Sequence, residues 1–166
     1  MSLNTLEEIA NYIVSDGKGI LAADESNPTC GKRFDSIGVE STETNRRDYR
    51  EMLFRASGMQ DNIGGVILFD ETIRQNAEDG TSLVELIKHQ GALPGIKVDK
   101  GLAPLESSPE ETVTQGLDGL DERCKEYVSL GAKFTKWRAV IKISESLPTE
   151  ECIESNMQAL AKYAKI

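Results

Sequence analysis

The chain has 166 residues and carries 19 Lys and Arg against 28 Asp and Glu, a net charge of −9. That length suits one compact domain and falls short of the ~250 residues a closed eight-stranded α/β barrel usually needs, while the acidic balance repels polyphosphate, so nucleic acid is not an expected partner. No apolar run approaches the ~18 residues that span a bilayer, and no Lys or Arg precedes Lys18 to form the basic start of a secretory signal, so the expectation is a cytoplasmic chain with no membrane partner.

A first helix is predicted from Thr5-Leu6-Glu7-Glu8, which fits a capping box, with Leu6, Ile9, Ala10 and Ile13 on one face until Asp16-Gly17 stops the run. Gly19 to Ser26 is a short apolar run ending in acid and hydroxyl groups, as a buried strand emptying into a loop would. Thr44 to Ser57 reads as a helix with Tyr49, Met52, Leu53 and Ala56 on its apolar face and Gly58 as its stop. The motif then repeats. Gly64 to Glu71 is a second strand, followed by a helix from Ser82 to His89; Gly95 to Gly101 is a third, followed by a loop rich in Pro, Ser and Glu and a helix near Leu117 to Leu130. Phe134 to Ile143 is a fourth strand, and Ile153, Met157, Leu160 and Ala164 share one face of a final helix. Four strand-helix units after a leading helix, without a linker-like break, predict one α/β domain over residues 1–166, with parallel strands and right-handed crossovers. This pattern alone fits both an open doubly wound sheet and part of a barrel.

Cys30, Cys124 and Cys152 lie far apart with no CxxC pair and are expected as reduced structural thiols. His89 is the sole histidine, which excludes a multi-histidine metal site, and its place at a predicted helix C-terminus suits a cationic ring. In both architectures chemistry belongs at the carboxyl ends of the strands. Those ends are charged here. Lys97 and Asp99 share one face of the third strand, and Lys136 and Arg138 share one face of the fourth, so cations are expected to point from the middle of strands. An unpaired cation there costs several kcal/mol, so each needs a partner or a wet cavity that uses it, and Asp24 is a natural partner. Cations gathered among carboxylates suit an anionic ligand such as a sugar phosphate. A lysine beside other cations in a dry pocket is also suited to carbonyl chemistry.

The segments Gly19 to Ser26 (GILAADES), Gly64 to Phe69 (GGVILF), Gly95 to Gly101 (GIKVDKG), Gln115 to Leu120 (QGLDGL) and Phe134 to Arg138 (FTKWR) resemble, in order and spacing, the class I fructose-bisphosphate aldolases. The stretch Glu25 to Arg33 (ESNPTCGKR) looks more like plastid-type and bacterial members than animal ones. The resemblance implies a (β/α)8 TIM barrel, of which this chain supplies about the first four βα units after a leading helix. It implies a glycolytic homotetramer that reversibly cleaves fructose 1,6-bisphosphate to dihydroxyacetone phosphate and glyceraldehyde 3-phosphate through a lysine Schiff base, with no metal or cofactor. Matched by motif, Asp24 and Lys136 are the expected catalytic groups. Asp24 would hydrogen-bond the substrate and a neighbouring lysine, and Lys136 would polarise the substrate and steer a proton. Ser26, Arg33, Arg46, Lys97 and Arg138 match positions that bind the substrate and its phosphates, and Thr29 stands where animal members have a serine. In the family the Schiff-base lysine lies on the sixth strand and the acid-base glutamates on the fifth, whereas Ala161 to Ile166 looks like the helix before the fifth. The expectation is therefore the amino-terminal half of the barrel, with little or no activity alone and with open edges that favour self-association. A plastid location follows if a transit peptide has been removed. The rival reading is a non-catalytic sugar-phosphate or anion-binding module.

Overall fold

The computed structural model describes Leu3 and residues 5–166. These form two compact units, one from the chain up to Lys97 together with Tyr127–Thr135, the other from Val98–Glu126 together with Lys136–Ile166.

In the first unit, α1 (Leu6–Ile13) begins with the expected capping box: Glu8 N–H donates to Thr5 Oγ1 at 3.1 Å and Thr5 N–H donates to Glu8 Oε2 at 3.0 Å. The elements that follow are β1 (Gly19–Ala23), α2 (Asn27–Asp35), α3 (Glu43–Phe54), α4 (Met59–Asn62), β2 (Ile63–Leu68), a 3-10 turn at Thr72–Arg74, α5 (Leu83–His89) and β3 (Leu93–Lys97). The sheet order is β1-β2-β3-β6, where β6 is Phe134–Lys136, and the β1/β2 and β2/β3 pairs are parallel. A parallel sheet of this kind brings the carboxyl ends of its strands to one side. Val66, Leu68, Ile96, Leu83, Ile87 and Phe54 form the core, and α5 packs on both α3 and β3. Burying a ring such as Phe54 contributes roughly 1.5–3 kcal/mol.

Two glycines of the sheet are required by close approach. A Cβ on Gly64 would sit 2.1 Å from the carbonyl oxygen of Ile13, so the last residue of α1 meets the β2 backbone directly. A Cβ on Gly95 would sit 2.3 Å from the Phe134 ring, which lies flat against the strand.

Several expectations need correction. β1 is only half buried, with Ile20 46% exposed and Ala23 fully covered. Among the expected apolar residues of α1, Ile13 is buried and Leu6 is exposed. In α3 the buried residues are Arg50 and Phe54, while Met52 faces solvent, because the acceptors at the end of β1 draw the arginine inward. Helix α2 was not expected, although Pro28 just after Ser26 is a helix-start signal. The third strand stops at Lys97 rather than Gly101. Lys100 N–H instead donates to Gln115 O, and Gln115 N–H donates to Gly101 O, both at 2.8 Å.

Those last bonds belong to the second unit. There the predicted Pro-, Ser- and Glu-rich loop contains an antiparallel hairpin, β4 (Leu102–Pro104) with β5 (Thr112–Thr114); α6 (Leu120–Ser129) follows in the chain, its residues up to Glu126 in this unit and the rest in the first. Helix α7 (Glu150–Lys165) packs on β5 through Cys152, Asn156 and Ala159. The expected stripe is the wrong face: Ile153 and Met157 are 45% and 49% exposed. The inversion has a polar cause. Buried Glu111 accepts from Thr149 N–H at 2.9 Å and Thr149 Oγ1 at 2.7 Å, and Asn156 Nδ2 donates to Thr112 O at 2.9 Å, which pins that side of the helix to the hairpin. Burial pushes the Glu111 carboxyl up, but the Thr149 bonds outweigh it and hold the group below its ordinary range. The fourth strand is likewise only Phe134–Lys136. Trp137 leaves the strand to stack on Tyr163 with ring centroids 5.2 Å apart, and the Arg138 carbonyl accepts from Thr114 Oγ1 at 2.6 Å.

Gly64→Ala is expected to destabilise the chain by about 1–3 kcal/mol or more, because backbone must move to admit the methyl group. Gly19→Ala, where a Cβ meets nothing within 4 Å, is expected to stay within about 0.5 kcal/mol. Denaturant midpoints of the two variants, compared with the parent, decide the matter, and equal midpoints contradict it.

Candidate functional site

The expected cations do not emerge from the middle of strands: Lys97 and Lys136 are the last residues of β3 and β6, and Arg138 lies beyond the strand. In the first unit Lys97 Nζ donates to the main-chain oxygen of Asp24 at 2.6 Å. The Asp24 carboxylate is a longer contact, 3.9 Å from the same nitrogen, and the Phe69 ring lies 4.8 Å away on another side. Asp24, expected as a partner for the strand-end cations in general, meets Lys97 through its carbonyl, with its carboxylate beside. Both side chains keep some access to solvent, 17% for Lys97 and 14% for Asp24. An ammonium held among a carbonyl, a carboxylate and an aromatic face has a fixed position, and a cation so placed suits an oxygen anion.

Arg46 makes a bidentate pair with Glu71, Nε to Oε1 at 2.8 Å and Nη2 to Oε2 at 2.6 Å, and also donates to Ser41 O at 2.6 Å. Asn27 Nδ2 donates to the same Glu71 at 3.2 Å. The Arg46 hydrogen bonds hold the Glu71 carboxyl below its ordinary range. Arg33 pairs with Glu25 and donates to Tyr49 Oη at 3.1 Å, and Tyr49 Oη in turn donates to Glu25 Oε1 at 3.1 Å. Ser26 precedes α2, but its hydroxyl lies 3.1 Å from Thr29 Oγ1 rather than capping the helix. Asp24, Ser26, Arg33, Arg46 and Lys97 thus all belong to the first unit. In the second, Lys136 O accepts from Val98 N–H at 3.1 Å, and Arg138 is exposed.

Sequence reasoning missed Arg50 and the acceptors gathered around it. Arg50, 1% exposed, donates from Nε to Ala23 O at 3.1 Å, from Nη1 to Cys30 Sγ at 2.9 Å and from Nη2 to Glu25 O at 2.9 Å. Its Nη2 also lies 3.0 Å from Glu25 Oε2, an ion contact whose angle is outside hydrogen-bond geometry. The available signal was spacing, since Arg46 and Arg50 stand one turn apart and Phe54 one turn further. All three cysteines are free thiols, and burial pushes Cys124 and Cys152 up, as suits structural groups. Among the described residues, no cluster of His, Cys, Asp and Glu could hold a metal ion, and no helix is long and apolar enough to cross a membrane.

The family model for glycolytic class I fructose-bisphosphate aldolase matches residues 5–166. The chain belongs to the class I fructose-bisphosphate aldolase family. A probable class 1 enzyme of Xanthomonas campestris pv. campestris is 53% identical over the whole chain and 50% of its own length. Fructose-bisphosphate aldolase C-A of Danio rerio is 57% identical over 97% of the chain and 44% of its own length. A co-crystal structure of fructose-bisphosphate aldolase from Plasmodium falciparum, with TRAP and a small-molecule inhibitor, superposes with a TM-score of 0.91 at 49% identity, covering 94% of this chain and 46% of that one. The chain spans about half the length of these relatives, and its alternating α/β order and parallel sheet correspond to the first βα repeats of a (β/α)8 barrel.

Since the folded Glu71 value lies below its ordinary 4.5, the Arg46 pair contributes stability that is fully present above that value and is lost as pH falls through the lower folded one. Arg46→Met is expected to remove about 1.5–3 kcal/mol at neutral pH and to leave less stability to lose on acidification. Denaturant midpoints at neutral and acid pH test this, and parallel acid profiles for parent and variant contradict it.

Proposed function

We propose that this chain supplies part of the active site of a lyase that reversibly cleaves fructose 1,6-bisphosphate into dihydroxyacetone phosphate and glyceraldehyde 3-phosphate through a lysine Schiff base. The observation that carries the reading is the Lys97 ammonium, fixed at the end of β3 by the Asp24 carbonyl with the Asp24 carboxylate beside it. In this reading Asp24 accepts a substrate hydroxyl proton and orients Lys97, while Lys136 polarises the substrate and moves a proton during carbinolamine chemistry. Lys97, Ser26, Arg33, Arg46 and Arg138 bind the substrate and its phosphates. The 166 residues are read as one domain, the amino-terminal half of such a barrel, and the Schiff-base lysine is assigned to the half of the relatives that the chain does not match. Lys97 and Lys136 are then auxiliary groups rather than nucleophiles.

A cytoplasmic homotetramer is the proposed setting of the whole enzyme, with association through open sheet edges for the chain alone. The Glu25 to Arg33 segment supports a plastid-type or bacterial subtype, although the bacterial and fish relatives above match at similar identity.

Incubation of the chain with dihydroxyacetone phosphate and borohydride, followed by intact-mass analysis, is expected to give no reduced imine. Calorimetry with the same ligand is expected to detect binding that Lys97→Met weakens about tenfold, the worth of one charge-assisted hydrogen bond. An adduct mapped to Lys97 or Lys136 overturns the auxiliary role, and absence of binding overturns the site.

A further inference from the structure

Residue Asp24 sits where β1 has just ended, and its peptide is held from two sides. The oxygens of Ala23 and Glu25 go to one cation and that of Asp24, between them, to another. Arg50 takes the first pair with its Nε and Nη2, at 3.1 and 2.9 Å. Lys97 takes the oxygen between them, at 2.6 Å. A planar guanidinium is suited to this, because its donors are fixed in a fork and cannot follow a peptide that rotates. The fork is itself anchored by Cys30 Sγ at 2.9 Å and by the Glu25 carboxylate. At 1% exposure it has almost no water to exchange these partners for.

We infer that Arg50 is a positioning residue for the candidate site: by clamping the carbonyls on either side of Asp24 it fixes the orientation of the Asp24 peptide, and through it the place of the Lys97 ammonium. Arg50 touches neither the Lys97 side chain nor the Asp24 carboxylate among the interactions described above. Its influence passes along the backbone, from the Ala23 and Glu25 oxygens to the peptide between them. Loss of the fork lets that peptide turn, and the short Lys97 bond is the first to lengthen.

The inference rests on the reading of Asp24 and Lys97 as parts of a sugar-phosphate site, but its test needs no ligand. Acylation of lysines by limiting acetic anhydride, followed by peptide mass mapping, reports how firmly each ammonium is held. In Arg50→Lys, which keeps the charge and loses the fork, the Lys97 rate is expected to rise about fivefold, the equivalent of one hydrogen bond of ~1 kcal/mol, while Lys88 and Lys125 keep the parental rate. Glu25→Gln, which weakens the other anchor of the fork and leaves both carbonyl bonds, is expected to raise the Lys97 rate about twofold at most, well short of Arg50→Lys. A folded Arg50→Lys chain with a lowered melting temperature and an unchanged Lys97 rate shows Arg50 to be structural only and overturns the inference. Where Arg50→Lys fails to fold, Cys30→Ala removes one anchor of the fork and is expected to raise the Lys97 rate about twofold, a smaller share of the same bond energy; no rise there overturns the inference equally. Failure of calorimetric binding with the Lys97 response intact would count against the sugar-phosphate site and leave the role of Arg50 standing.

Discussion

A guanidinium cut off from water has to find every partner inside the protein, and the first unit is arranged around that requirement. Arg50 comes from α3, yet its acceptors come from the end of β1, from the turn after it and from α2. One side chain thus ties together three consecutive elements. Removing it would leave buried carbonyl oxygens without donors, which is why a single polar residue can matter as much here as a core ring. One of the two catalytic candidates, Asp24, sits on the segment so tied.

The sheet contributes the second constraint. Parallel pairing of β1, β2 and β3 brings their carboxyl ends to one side, and the two glycines Gly64 and Gly95 let a helix end and a ring lie against strands with no intervening side chain. The charged groups then emerge where the strands stop, at Asp24 and Lys97, where extended backbone gives way to turns and can offer carbonyls to a cation. The corresponding residue of β6, Lys136, also closes its strand.

Much of this was legible in the sequence, and the parts that were not share a cause. The capping box at Thr5, the strand cores and the alternation of the four sheet strands with helices all follow from local chemistry or from period. The buried faces of α3 and α7 do not. Hydrophobic spacing placed Met52 and Met157 inward, but the faces that pack carry Arg50 and Asn156, each donating to a main-chain oxygen distant in sequence, and the buried Cys152. A pattern of apolar residues cannot register a hydrogen bond to a main-chain oxygen that only the fold brings near. The shortened third and fourth strands have the same origin: the backbone after Lys97 finds its bonds at Gln115, and the backbone after Lys136 at Thr114.

Charge neutralisation at Arg46 has a consequence for recognition. Because Glu71 already occupies the Nε and Nη2 edge of that guanidinium and the Ser41 carbonyl takes Nη1, an incoming anion gains only the difference between its own interaction and that of the resident acceptors. A singly charged carboxylate would gain almost nothing in the exchange, whereas a phosphate dianion brings more charge and more acceptor oxygens to the same fork. In the proposed phosphate-binding role of Arg46, the resident glutamate would therefore act as a threshold, with selectivity set by competition.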